Sequence, residues 1–115
     1  MGEISLIHEG EREWRSLVDP PGEIPSGGSE ADSFTSPDGR FTTGFWRREP
    51  DTWSFERPYD EVALILAGRA EIEASDGEVF AVGPGDVLIT PKGSSGTWRI
   101  TETIVKFYAI SSEPE

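Results

Sequence analysis

Two stretches decide how this chain is read: Glu61-Val62-Ala63-Leu64-Ile65-Leu66-Ala67-Gly68 and Gly85-Asp86-Val87-Leu88-Ile89-Thr90-Pro91-Lys92-Gly93. Each is a short apolar run bounded by turn residues, which is the signature of a strand and not of a helix. Similar runs surround them at close intervals. Phe41 to Arg48 follows the Pro37-Asp38-Gly39 turn, and Thr52 to Arg57 precedes Pro58-Tyr59-Asp60. Arg69 to Ala74 follows Gly68, and Ser75-Asp76-Gly77 is a hairpin signal because the glycine supplies positive φ. Glu78 to Val82, Asp86 to Thr90, Thr97 to Thr101 and Thr103 to Ile110 complete the set. Eight or nine strands with hardly a helix between them predict an all-β sandwich or barrel whose interior holds the site.

The 115 residues suit one domain with one core. Apolar residues are 35% of the chain and gather after residue 41. Residues 35–115 are therefore read as the β-barrel, and residues 1–34 as a polar N-terminal arm with a flexible loop. Within the arm, Ser5 to Val18 mixes strand and helix periods, so a strand or a short helix is expected there. Asp19-Pro20-Pro21-Gly22 and Pro25-Ser26-Gly27-Gly28-Ser29 read as breakers and loop.

Ten basic against 22 acidic residues, a net charge of -12, oppose nucleic acid and anionic membranes as partners. No apolar run approaches the roughly 18 residues of a membrane span. The start of the chain lacks a signal-peptide pattern, so a cytoplasmic location is expected. The absence of cysteine excludes disulfides, thiolate metal sites and thiol nucleophiles.

Alternation in the last strand puts Ile104, Lys106, Tyr108 and Ile110 on one face and Thr103, Val105, Phe107 and Ala109 on the other. Both faces are mostly apolar, which predicts a central strand covered on both sides. A lysine among such neighbours stands out.

Glu61 with six residues to Gly68 resembles the second half of the first cupin motif, and Gly85, five residues, then Pro91-Lys92-Gly93 resembles the start of the second. Sixteen residues, 69–84, separate Gly68 from Gly85, which suits a cupin of minimal size. With Gly96-Thr97-Trp98 and Val105-Lys106-Phe107-Tyr108, the chain is similar to the branch containing ureidoglycine aminohydrolase domains and the ethanolamine-utilisation cupin. The resemblance implies an RmlC-like jelly-roll β-barrel with a small-molecule pocket, commonly a homodimer.

It also implies a divalent metal held by two His and a Glu from the first motif and one His from the second. Those positions here hold Phe55, Arg57, Glu61 and Gly96, and the only histidine is His8, in the arm. A metal needs three or four converging donors, and Arg57 places a fixed positive charge among them. The reading is a degenerate metal site, with no metal and no cofactor expected. The ureidoglycine activity, which needs a donor at position 96, does not carry over.

On the strand geometry the resemblance implies, Arg57 and Glu61 point inward. They either bind and orient an anionic ligand, with Glu61 available as a base, or form a structural ion pair in place of the metal. Lys106 and Tyr108 share a face and are either acid, base or anion contacts, or a snorkelling lysine beside a packed tyrosine. Trp53, Phe55 and Trp98 are candidates to line the pocket, Trp46 to be core, and Tyr59 to sit at the barrel mouth. Lys92 is read as an exposed turn lysine and His8 as incidental.

Three functions stay open on these residues. One is a metal-free cupin binding a small anionic metabolite, with Glu61, Lys106 and Tyr108 as candidate catalytic groups and Arg57, Trp98, Tyr59, Phe55 and Trp53 as ligand contacts. Another is a metal-dependent or acetate and acetyl-phosphate enzyme of the ethanolamine-utilisation type. The third is a structural or interaction domain whose pocket is filled by Trp98 and Phe55.

Overall fold

The computed structural model describes residues 2–16 and 28–112. After a 3-10 turn at Glu9–Glu11, eight strands follow: β1 (Arg15–Ser16), β2 (Ser29–Thr35), β3 (Phe41–Arg48), β4 (Thr52–Glu56), β5 (Asp60–Ala74), β6 (Val79–Val82), β7 (Val87–Thr90) and β8 (Ser95–Ser111). All pairings are antiparallel. The ladder runs β1-β2-β3-β8-β5-β6, with β4 also on β8 and β7 on β5. It is a jelly roll whose sheet, among the described residues, does not close into a complete barrel.

Two long strands do most of the organising. The expected strands Glu61 to Ala67 and Arg69 to Ala74 are one strand, β5, and Thr97 to Thr101 and Thr103 to Ile110 are likewise one, β8. The breaks expected near Gly68 and Glu102 are bulges in the β5–β8 ladder, where register shifts between Ile65 and Ala70 bend the pair without ending it. Gly68 makes the bend possible. Its φ is +87°, and a Cβ there would lie 2.1 Å from the Thr103 carbonyl oxygen, so no other residue fits without moving β8.

The core lies on the concave face, where Ile65, Ala70, Ile72, Val82, Trp98, Ile100 and Ile104 are buried and Trp46, Trp53, Phe55 and Leu88 pack against them. Trp98 stacks on Trp53 at 5.8 Å with the rings 3° from parallel, and Trp46 meets Trp98 at 6.0 Å in a tilted contact.

The turns behave as their residues dictate. In Ser75-Asp76-Gly77 the Asp76 carboxylate accepts from the Glu78 amide at 2.9 Å. The Gly83-Pro84-Gly85 turn is held by Asp86, which accepts from the Gly83 amide at 2.8 Å, while the Gly85 amide donates to the Ile65 carbonyl at 2.8 Å.

Two expectations change. The strand β2 lies within the segment read as a loop-bearing arm and adds to the edge of β3 from Ser29↔Arg47 to Thr35↔Thr42. Its sequence, SEADSFT, is polar on both faces, so pairing with β3 and not hydrophobic period fixes it. The Ser5 to Val18 element is, up to residue 16, a 3-10 turn and a two-residue strand, with Leu17, Val18 and most of the two Pro/Gly stretches outside the described residues.

The convex face of β8 is also less covered than its composition suggests. Ile89, Val62, Ala109 and Thr43 form one cross-strand row, and Val87, Leu64, Phe107 and Phe45 the next. Ile89 and Val87 are 65% and 57% exposed. Phe45 is covered by the Arg12 guanidinium, 4.3 Å from its ring centroid.

Candidate functional site

A cavity of about 330 Å³ opens on the concave face, lined by Trp46, Trp53, Phe55, Arg57, Tyr59, Glu61, Trp98, Lys106 and Tyr108, with Glu30, Ser54, Glu56 and Ile110 completing it. All eight residues singled out from sequence, Trp53, Phe55, Arg57, Tyr59, Glu61, Trp98, Lys106 and Tyr108, are on this wall. Trp98 and Phe55 line the space and do not fill it. His8 is elsewhere, exposed and 3.7 Å from Glu11.

The register explains the convergence. β8 carries Lys106 and Tyr108 between β3 and β5, placing Lys106 opposite Trp46 on one side and Ile65 on the other. Glu61 stands at the start of β5, across from Ile110 and Thr90. Arg57 is fixed by the second of the two deciding stretches. The Gly93 amide donates to the Arg57 carbonyl at 2.8 Å, and the Arg57 amide donates to the Ser94 carbonyl at 2.9 Å. At the side chain, Arg57 Nε donates to Thr90 Oγ1 at 3.1 Å. The turn at Pro91-Lys92-Gly93 therefore sets the position of the guanidinium. Its own lysine contributes its backbone amide, which donates to Asp60 at 2.8 Å.

One carboxylate oxygen gathers both cations. Lys106 Nζ donates to Glu61 Oε2 at 2.7 Å, and an Arg57 terminal nitrogen lies 3.5 Å from that same oxygen. Lys106 and Glu61 are 5% and 4% exposed. Aromatic faces enclose the cations: Lys106 Nζ is 4.8 Å from the Trp46 ring centroid and 5.4 Å from that of Trp98, and Arg57 lies 4.5 Å over Phe55. Burial holds the Lys106 pKa below the ordinary lysine value, with the Arg57 charge acting the same way and Glu61 opposing both.

A second polar pair forms the other wall. The Tyr108 hydroxyl donates to Glu30, whose carboxylate also meets Arg15 at 3.4 Å. Glu30 lies on β2, the strand that the sequence did not reveal, and no periodicity marks it. Trp46, read as core, both packs on the core and faces the cavity.

Burial and the Glu30 bond raise the Tyr108 pKa well above 10.0, and burial followed by the Glu61 charge raises that of Tyr59. These are the only tyrosines. A raised folded pKa means that the folded protein holds protons the unfolded chain gives up, so the contribution to stability is full below pH 10.0 and declines above it. Tyrosinate absorbance of the folded protein is therefore expected to stay low at pH 10.0, with the melting temperature falling at higher pH. Half-ionisation at that pH would contradict the burial described.

The donor set does not fit a metal. Phe55 and Gly96 face each other across the β4–β8 ladder, and neither offers a donor side chain. A Cβ at Gly96 would come 2.5 Å from the Glu73 carbonyl oxygen, so a histidine cannot be accommodated there without shifting β5. Among the described residues no group of three or more His, Cys, Asp or Glu could hold a metal ion. The acid at the motif's ligand position is instead hydrogen-bonded to an ammonium.

An antiparallel jelly roll with an aromatic-walled pocket on its concave face, its few charged groups brought in by the end of β4, the start of β5 and β8, defines a cupin-type domain. A family model described as the EutQ-like cupin domain matches residues 35–108, and the chain belongs to that family.

Among solved structures it is similar to a putative ethanolamine utilization protein Q from Salmonella typhimurium, at 21% identity over 90% of this chain and 97% of that one, with a TM-score of 0.66. The EutQ protein of Clostridium difficile is 25% identical over 71% of this chain, with a TM-score of 0.62, and the match spans 60% of that protein. A predicted oxalate decarboxylase from Thermotoga maritima shares the fold with a TM-score of 0.73 at 14% identity, over 95% of this chain and all of that one. A search of curated proteins gave no significant match. No helix among the described residues is long and apolar enough to cross a membrane.

Proposed function

We propose that this chain is a metal-free cupin that binds a small anionic metabolite in the cavity, with Arg57 and Lys106 as its cationic contacts. The observation that carries the reading is the shared Glu61 oxygen: two cations lean on one buried carboxylate. Glu30 is engaged by Tyr108 and Arg15 and acts on Lys106 only weakly and from a distance, and Glu56 is exposed, so neither makes an ion pair with the cations at the deep end. A ligand carboxylate or phosphate would complete it, since Arg57 offers a planar fork of donors and the water-poor aromatic wall strengthens the attraction. Glu61 and Tyr108 then stand beside the bound anion as proton acceptor and donor.

The test is calorimetric titration with a panel of small carboxylates and phosphates, including acetate and acetyl phosphate. At least one is expected to bind, and Arg57→Met to weaken it tenfold or more, a loss of about 1.4 kcal/mol. A panel in which only amines bind, or an Arg57→Met variant of unchanged affinity, would overturn the reading.

The likeness to ethanolamine-utilisation proteins supports acetate and acetyl phosphate as probes. A Mg²⁺-nucleotide reaction of that type finds no support in the donor set, and absence of any thermal shift with ATP and Mg²⁺ is expected.

The exposed part of these rows, Ile89, Val62, Val87 and Leu64, is where a second copy would bind in the expected homodimer, because an apolar face of four adjacent side chains is unusual on a monomer. Sedimentation at two concentrations checks this. A monomer at both would remove the homodimer.

A further inference from the structure

We propose that Lys106 is a carbonyl-reactive amine and that the cavity takes a small 2-oxo acid as a Schiff-base adduct on Lys106 Nζ. This deepens the reading of the cavity as an anion site and rests on it. The first support is the choice of residue. The chain has eight arginines and only two lysines, Lys92 in a turn and Lys106 in the cavity. A purely structural buried ion pair is better served by arginine, which keeps its charge and spreads its donors. Only lysine can release a proton and expose a lone pair.

The second support is geometry. Lys106 Nζ faces a cavity of about 330 Å³, room for roughly ten atoms of the size of water. Its one carboxylate partner is 2.7 Å away, and the guanidinium that would hold a ligand carboxylate rests on the same oxygen at 3.5 Å. In a 2-oxo acid the carbonyl carbon adjoins the carboxylate, so anchoring the carboxylate at Arg57 brings that carbon toward Nζ. Burial favours the neutral amine, in keeping with the lowered pKa.

The third support is the proton path. Glu61 accepts a proton from the Lys106 ammonium along the hydrogen bond already present, and the freed lone pair forms the N–C bond as the carbonyl π bond breaks. A proton moves from nitrogen to the new alkoxide, giving a neutral carbinolamine. Glu61 then returns its proton to the carbinolamine hydroxyl, which leaves as water as the C=N bond forms. The site ends as it began, with one cationic nitrogen beside the Glu61 carboxylate and the Trp46 and Trp98 faces. No oxidant or further reactant is required.

The test is reductive trapping of the full chain with pyruvate and cyanoborohydride, read by intact mass and peptide mapping, with pyruvate calorimetry alongside. One adduct on Lys106 is expected. Lys92→Arg leaves it unchanged, Lys106→Arg lowers it at least tenfold, and lactate, which has the carboxylate without the carbonyl, protects Lys106 in the unaltered protein. The lactate arm keeps the test decisive should Lys106→Arg not fold. Pyruvate binding without trapping, or trapping spread over Lys92 and the terminal amine, overturns the Schiff base and leaves the anion site standing. Neither heat nor adduct overturns the Schiff base and removes pyruvate-type anions from the site.

Discussion

Glu61→Ala is expected to lose about 3–5 kcal/mol of stability in urea denaturation, the usual cost of removing one partner from a buried pair and leaving a charge uncompensated. Here the effect should sit at the top of that range, because Glu61 serves two cations through one oxygen and is 4% exposed. The informative comparison is the double variant Glu61→Ala/Lys106→Met. It removes the stranded ammonium and fills its place with an apolar side chain between Trp46 and Trp98, so it should recover at least half of the loss. Arg57 keeps Thr90 and the Phe55 face in that variant. A single variant costing under about 1 kcal/mol would mean that water reaches the pair and that the cavity is far wetter than described.

Trp98→Ala should lose about 3–5 kcal/mol as well, for a different reason. Trp98 is 1% exposed and is the largest fully buried side chain. It stacks on Trp53 and touches Trp46, so its removal joins the void it leaves to the ligand cavity. Trp53→Ala should cost less, since Trp53 is only half-buried. Denaturant midpoints of the two variants check the order, and equal losses would show that Trp98 is not the floor of the core. The Trp98 variant should also weaken Lys106 trapping, because the water it admits beside Nζ favours the unreactive ammonium over the free amine.

Much of the fold was legible because strands and turns are local. The hairpin at Ser75-Asp76-Gly77 and the turn before Asp86 are dictated by residues two or three positions apart, and both formed as read. The faces of β8 were legible for the same reason, since period two puts Lys106 and Tyr108 together whatever the partners are. Where local signals end, the reading failed. Gly68 looks like a terminator, yet the ladder with β8 carries β5 through it on bulges. The strand β2 has no apolar period, and it exists because the edge of β3 offers unpaired backbone groups.

The candidate site divides in the same way. The eight wall residues could be named from the motif spacing and strand parity, and the replacement of the family's histidine positions was already written in Phe55, Arg57 and Gly96. That Glu30 joins the wall, that Trp46 faces the cavity as well as the core, and that Arg57 and Lys106 meet on a single Glu61 oxygen are facts of register between strands distant in sequence.

The sequence by itself determined a small β-rich cupin domain with Phe55, Arg57 and Gly96 at the family's histidine positions, because residue type and short spacing are enough for turns, strand faces and motif positions. Only the tertiary structure decided that an ammonium stands at the acid of the motif and that a guanidinium shares it. Pairing across β4, β5 and β8 brings those charges together, and hydrogen-bond geometry between distant strands is not encoded in any local period.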